Sequence, residues 1–388
     1  MRVLLTFTYG VSLHDWNDRG IITREISLYK KLNEDNKNKF HFLTFGTNND
    51  YKYSDLLEKI EIIPVFDKIT SRIPKFHFIK SLLLPIRLKK LLNDVDIIKT
   101  NQIRGSWIAC IAKILFRKKI IIRGGYEWLS RYRAFAMKNG IKFYLKYLIN
   151  YIWIFLNELF AFRLADGIIL TNKEDISSIV KCFKLKKKYK NGKIKFIINF
   201  VNTDIFKPLS VPKKEKHIVF IGNIKKVKNL ENLCRAFKDL KGFCLDIIGN
   251  GPCTKRLMYM VKELDLNVNF LGTIPNNKIP EILNQYEIFV LPSYYEGNPK
   301  ALLEAMSCGI ACIGSNIQGI NSIIKHKENG YLCGTSSIEI RKAIEKLGAD
   351  ENLRSKLGKN ARNYIVENCS LNSIAQQEYL FYRKIIGR

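Results

Sequence analysis

The chain has 388 residues, of which 47% are hydrophobic, 12% aromatic and 26% charged. Those values exclude a wholly disordered or fibrous polypeptide, and the length suits two domains. Lys and Arg number 65 against 35 Asp and Glu, a net charge of +30. Four sources of that basicity remain open: nucleic acid, an anionic membrane, phosphate-bearing substrates, or compositional drift in a chain rich in Ile, Lys and Asn. The excess is uneven: residues 101–200 hold 21 basic and 5 acidic side chains. Nine Cys include no C-x-x-C pair and five His no H-E-x-x-H, so no zinc site is expected. The thiols read as reduced and the compartment as cytoplasmic.

Taken in chain order, the apolar run at 2–8 is too short for a signal peptide and reads as a buried first strand. Gly10 and Gly20 bracket a loop, and residues 21–32 carry helical spacing. Further strands are expected at 40–45, 60–65, 97–100, 119–123, 167–171 and 194–198, with helices between them. Asp94-Val95-Asp96 imitates a D-x-D metal motif but precedes a strand, so it reads as a turn. The aromatic stretch around 143–162 has only 11 uncharged residues between Lys146 and Glu158, against the ~20 that a membrane span needs. Eight Lys and no acid fall within 181–195. Together with 138–162 this segment suits peripheral contact with an anionic membrane, or equally a core helix with a solvated Lys face.

Pro208, Pro212 and the charged run 213–216 mark a linker. A second series of strands follows at 217–222, 243–249, 268–271, 288–291, 311–314 and 330–333, and a long helix closes the chain at 373–386. Two β-α-β series predict two doubly wound parallel sheets. Ligands bind such sheets beyond the carboxyl ends of the strands. Here those ends are Gly222-Asn223, Gly249-Asn250-Gly251, Gly272-Thr273 and 292–299.

The richest of these loops runs Leu291-Pro292-Ser293-Tyr294-Tyr295-Glu296-Gly297-Asn298-Pro299-Lys300-Ala301-Leu302-Leu303-Glu304 and ends at Gly309. It reads as strand, loop and helix, with Asn298 as the N-cap, Pro299 in the first helical position and Gly309 as the stop. Such a helix start favours a phosphate. Glu296 is placed to accept hydrogen bonds from sugar hydroxyls, and Glu304 to hold both hydroxyls of a ribose. Lys300 and Glu304, four apart, can instead form a surface pair worth about 0.2–0.5 kcal/mol.

Glu296 and Glu304 form E-x7-E, and the whole segment resembles the donor-site signature of glycosyltransferase family 4, the retaining sugar transferases of GT-B fold. Other segments resemble that family in order: 220–229 its G-R-L-x-x-x-K-G, 245–257 its I-x-G-x-G-P…L turn, and 329–332 its N-G-y-l strand. In the first domain, 165–169 and 199–208 are similar to its A-D-x-v-i and N-G-V-D-x-x-x-F-x-P segments. About the last 225 residues carry the likeness well and the first 160 only loosely.

Three positions depart from the family pattern: Asn223 stands for its Arg, Ser322 for its Glu, and Arg123-Gly124-Gly125-Tyr126-Glu127-Trp128 for a loop that often holds a His. The resemblance implies two Rossmann-like domains facing a cleft, at 1–205 and 206–370, with 371–388 crossing back. It implies a nucleotide-sugar donor such as a UDP- or GDP-sugar, a glycan or lipid-linked acceptor, and surface polysaccharide or lipopolysaccharide assembly on the inner face of the membrane. No metal or other cofactor is expected.

The implied donor-binding residues are Gly222, Asn223, Lys228, Gly249, Gly251, Thr273, Glu296, Gly297, Asn298, Pro299, Lys300, Ala301 and Glu304. Glu296, Lys228 and Glu127 are the catalytic candidates, and Gly20, Arg123, Tyr126 and Glu127 lie on the acceptor side. Two rivals are a nucleotide-sugar epimerase of the same fold and a basic nucleic-acid-binding protein. No nucleic-acid recognition module is present in the sequence.

Overall fold

The computed structural model describes residues 1–35, 38–66, 75–124 and 141–387. It divides into two units: Met1–Asp18 with Glu25–Ile198 and Ala375–Arg388, and Arg19–Arg24 with Asn199–Ile374. Residues 199–205 pack with the second unit, where Val201 bridges to Ser370 and the Asn199 amide donates to the Asn298 side chain.

The first unit is a seven-stranded parallel sheet, ordered β3-β2-β1-β4-β5-β6-β7. Its strands are β1 (Arg2–Thr6), β2 (Lys39–Thr44), β3 (Glu61–Pro64), β4 (Ile97–Thr100), β5 (Lys119–Gly124), β6 (Gly167–Leu170) and β7 (Ile194–Phe196). The central strands are unbroken apolar runs because helices cover both faces: β6 reads GIIL and is buried throughout. The second unit is a six-stranded parallel sheet, ordered β10-β9-β8-β11-β12-β13. It comprises β8 (His217–Ile221), β9 (Cys244–Ile248), β10 (Val268–Gly272), β11 (Ile288–Leu291), β12 (Ala311–Ser315) and β13 (Tyr331–Cys333). Its edge strand β10 is largely exposed, whereas β11 in the middle is fully buried. The α/β class and the two Rossmann-like sheets read from the sequence are what the chain adopts.

Strand order reverses between β1 and β4 in the first sheet and between β8 and β11 in the second. At such a switch point neighbouring connections leave to opposite faces and open a crevice. The loops after β8 and β11 are those that carry Lys228 and Glu296.

Three charge features of the first unit are decided by tertiary structure. Asp96 accepts from the Arg2 amide at 2.8 Å, and Asp94 lies 3.6 Å from the Arg2 guanidinium, so the D-x-D run ties down a strand start. The Lys188 ammonium donates to the carbonyls of Phe162, Arg163 and Ala165 and so caps the helix Ile141–Leu164. Burial pushes its pKa down to about 8. Lys188 is therefore a structural donor, not one of a uniform row of solvated lysines.

The third feature is a buried charge cluster. Glu378, on the helix Leu371–Ile386, accepts from Lys99 on β4 at 2.5 Å and from the Tyr382 hydroxyl. The Arg123 guanidinium lies 3.9 Å away. Burial alone would push Glu378 up, but Lys99 and Arg123 outweigh it and its pKa falls; burial lowers that of Lys99 to about 8 against the pull of Glu378. No helix of the described residues is long and apolar enough to cross a membrane.

Candidate functional site

The site grows from the ends of β8 and β11 in the second unit. After β8 the chain turns through Gly222 and Asn223 into the 3-10 turn Lys226–Lys228, then the helix Leu230–Ala236. Asn229, at φ 57°, makes the junction between turn and helix. Its buried amide donates to Pro292 O at 3.0 Å and Thr335 O at 2.8 Å. The Tyr294 amide donates to Val227 O at 2.8 Å. These bonds fasten the loop after β11 onto the turn after β8.

Lys228 and Glu296 meet as a result. The ammonium lies 2.5 Å from Glu296 Oε1, and the Ser293 hydroxyl donates to the same oxygen at 2.6 Å. Glu296 is only 2% exposed. Behind it the Ser315 hydroxyl donates to Ser293 O, fixing the backbone from which Ser293 projects. Gly319 is required at φ 87°, since a Cβ there would stand 2.2 Å from Glu296 O. Gly249 is equally constrained: its missing Cβ would lie 2.0 Å from Gly222 O, so the two strand-end turns touch backbone to backbone.

The helix Lys300–Ser307 follows. Its N-cap is Pro299, not Asn298, and no side chain caps it. The expected cap fails because Asn298 is engaged elsewhere: its Oδ1 accepts from the Asn199 amide at 3.1 Å, and its carbonyl from Asn199 Nδ2 at 2.9 Å. The first-turn N–H groups and positive dipole end therefore keep no side-chain partner from the cap position. Gly309, at φ 72°, ends the helix as expected.

Glu304, one turn inside, is 3% exposed. Its Oε1 accepts from Arg24 Nη1 at 3.2 Å and Asn276 Nδ2 at 3.1 Å. Gly20 O accepts from the Asn276 amide, so the short segment Arg19–Arg24 supports this carboxylate. Lys300 Nζ lies 5.7 Å from the Phe200 ring centre. Gly297 and Pro299 are buried, Ala301 is half-buried, Gly251 packs against Asn223, and Asn223 and Thr273 are exposed.

On the first unit, Arg123 is buried at the end of β5, with its guanidinium toward Glu378. Tyr126 and Glu127 lie outside the described residues. Sequence reasoning assigned nothing to Ser293, Ser315, Arg24 or Asn276. Ser293 is within the quoted motif, but Arg24 and Asn276 reach Glu304, and Ser315 reaches the Ser293 carbonyl, only through the fold.

Among the described residues, His217, Cys244 and Asp246 bring possible metal-ligand atoms within 4.8 Å of one another. Their geometry is that of a hydrogen-bond network around a buried carboxylate. Asp246 accepts from the Tyr286 hydroxyl at 2.6 Å and from Asn269 at 2.8 Å, with His217 and the Lys214 ammonium also beside it. Burial raises its pKa, but these donors outweigh it and the net shift is downward.

Residues 201–364 match the family described as Glycosyl transferases group 1. Over 247 residues the chain is 31% identical to the N-acetyl-alpha-D-glucosaminyl L-malate synthase of Bacillus anthracis, covering 58% of this chain and 62% of that protein. The match thus spans less than two thirds of that relative's length. Over 356 residues, 89% of each chain, it is 26% identical to the Campylobacter jejuni subsp. jejuni serotype O:2 GalNAc-alpha-(1->4)-GalNAc-alpha-(1->3)-diNAcBac-PP-undecaprenol alpha-1,4-N-acetyl-D-galactosaminyltransferase. The sucrose-phosphate synthase of Thermosynechococcus elongatus shares the fold, with a TM-score of 0.77 at 17% identity over 100% of both chains. The fold is thus shared with structures of the GT-B type, and residues 201–364 are similar in sequence to the group 1 glycosyl transferases.

Proposed function

We propose that the chain is a family 4 glycosyltransferase that moves a hexose from a nucleotide sugar to a glycan or lipid-linked acceptor, with retention and without a metal. The observation that carries this reading is the Lys228–Glu296 pair, braced by Ser293 at the switch point of the second sheet, with buried Glu304 eight residues further on. In the proposed reaction the bond between the anomeric carbon and the diphosphate oxygen breaks, and its electron pair leaves with the nucleoside diphosphate. Lys228 and the N–H groups that open the helix Lys300–Ser307 offset the charge that develops there. The acceptor hydroxyl attacks from the same face, and its proton passes to the departing phosphate oxygen. No protein nucleophile is required. Glu296 orients the donor sugar through its hydroxyls, and Glu304 holds the ribose diol, steadied by Arg24 and Asn276.

The Campylobacter relative's name specifies an undecaprenol-linked acceptor. A comparable lipid-linked acceptor would place this chain at the inner face of a cytoplasmic membrane, in surface polysaccharide assembly. A thermal-shift panel of UDP, GDP, ADP and their sugars tests the core of the reading. At least one should raise the melting temperature of wild type, and Lys228→Met should reduce that rise. No shift with any nucleotide would refute the donor site.

A further inference from the structure

The helix Ile141–Leu164 carries Glu158 on its buried side, but its other side is not polar. Ile149, Ile152, Trp153, Leu156 and Phe160 recur at three- and four-residue steps, forming one stripe along the helix. All five are exposed, Ile149 by 84% and Phe160 by 59%. An amphipathic helix on a sheet should show water its charged face. This one shows water a second apolar face.

The stripe is not isolated. The helix packs on Trp107–Phe116, which in turn packs on Lys75–Leu82 and Leu84–Arg87. Trp153 meets Phe78 at 5.3 Å and Trp107 at 6.4 Å, so the three helices are locked together by rings. The neighbours are apolar on the outside too: Ile79, Leu83 and Ile86 are exposed at helical spacing, and the adjacent pair Ile114 and Leu115 is exposed. Each apolar run gives way within about a turn to exposed cations: Arg163 after Phe160, Arg87 and Lys90 after Ile86, and Arg117 after Leu115. Within 75–92, 107–118 and 148–164 the only acid is Glu158, which is buried. A protein partner would call for a rim of both signs. Apolar ridges fringed by cations alone match a bilayer, with acyl chains against the ridges and anionic headgroups against the fringe.

We propose that this ridge is the membrane-docking face of the chain and seats it by shallow insertion into an anionic phospholipid surface. The inference rests on the reading that the acceptor is membrane-bound, and it moves the contact away from the lysine-rich segment. Lys188 there is spent on capping a helix. Lys184, Lys186 and Lys187 project as solvated cations with no exposed apolar stripe beside them.

Co-sedimentation with vesicles of phosphatidylglycerol and phosphatidylethanolamine tests this on the full chain. Wild type should bind these vesicles better than phosphatidylcholine ones. Phospholipids brominated along their acyl chains should quench its tryptophan fluorescence. The double variant Ile149→Asn/Phe160→Asn changes two exposed side chains. It should lose at least tenfold in vesicle affinity with an unchanged circular dichroism spectrum. The triple variant Lys184→Ala/Lys186→Ala/Lys187→Ala should lose less than threefold. Neither should alter the nucleotide thermal shift, so failure of the docking face is distinguishable from failure of the donor site. Wild-type binding by the double variant, loss of binding in the lysine variant, or no vesicle binding by wild type would overturn the proposal. So would a wild-type dimer that the double variant converts to monomer while vesicle binding persists, since the ridge would then cover a second copy.

Discussion

Replacing Glu304 with Gln preserves the volume and one carbonyl acceptor of a side chain that is 3% exposed, and turns the other acceptor oxygen into an uncharged NH2 donor. Its Oε1 already accepts from Arg24 and Asn276, so the carboxylate enters any complex in a fixed orientation. A ribose diol bound there would make charge-assisted hydrogen bonds, whose loss costs about 1.5–3 kcal/mol. At 1.4 kcal/mol per decade, Glu304→Gln should weaken nucleoside-diphosphate binding by about 10- to 150-fold in isothermal titration. The Arg24 side chain is 19% exposed and loses its counter-charge, so the variant's melting temperature must be measured alongside. The 2′-deoxy nucleotide supplies the second arm of a double-mutant cycle. Wild type should discriminate against it, and Glu304→Gln should discriminate much less. Unchanged affinity in a folded variant, or full discrimination retained by it, would refute the ribose assignment.

Other expectations follow from the same geometry. Ser293→Ala removes one donor from Glu296 and should lower kcat by about tenfold, near the worth of one hydrogen bond to a charged group, while nucleotide affinity stays unchanged in titration. Turnover should survive EDTA; abolition by EDTA with rescue by Mg²⁺ or Mn²⁺ would show the metal-free mechanism to be wrong. Glu378→Leu takes from buried Lys99 the carboxylate it donates to, and from Arg123 the one 3.9 Å away, and should destabilise the first unit by about 3–5 kcal/mol in urea unfolding. Asp246 has a folded pKa below its unfolded value, so its contribution is full above about pH 4 and is lost as pH falls through the folded value. The urea midpoint of wild type should therefore fall more steeply below pH 4 than that of Asp246→Asn.

The strands were legible because a parallel strand buried on both faces must be apolar along its length, as in the GIIL of β6 or the IFVL of β11. The loops were legible because Gly, Pro and Asn mark where such runs stop. What could not be read was competition between partners distant in sequence. Asn298 has the chemistry of a cap, but Asn199, 99 residues away, takes its side chain. Lys188 has the composition of a headgroup contact, but three carbonyls 23–26 residues back take its ammonium. Lys228 and Glu296 were named separately as donor-binding and catalytic candidates, and nothing local tells that they bind each other across 68 residues. The apolar ridge was hidden for a related reason. Exposed Trp153 and Phe160 are interleaved with half-buried Tyr151 and Phe155 and buried Phe162, and spacing alone does not say which face meets the sheet.

The helix Leu371–Ile386 places Glu378 in the interior of the first unit, yet 279 residues separate it from Lys99. On the ribosome, β1 to β7 emerge long before their counter-charge exists. The nascent first unit must wait with the Lys99 ammonium facing its core until the entire second unit has been synthesised. Vectorial, domain-by-domain folding should therefore stay incomplete for the half of the molecule that is made first. A frameshift or nonsense mutation just before codon 378 would spare every residue of both sheets and still leave the first sheet without the anion around which its interior closes. A ribosome-stalled chain ending at residue 370 should accordingly remain protease-sensitive within residues 1–198, and one extended beyond 388 by a linker long enough to clear the exit tunnel should become resistant there.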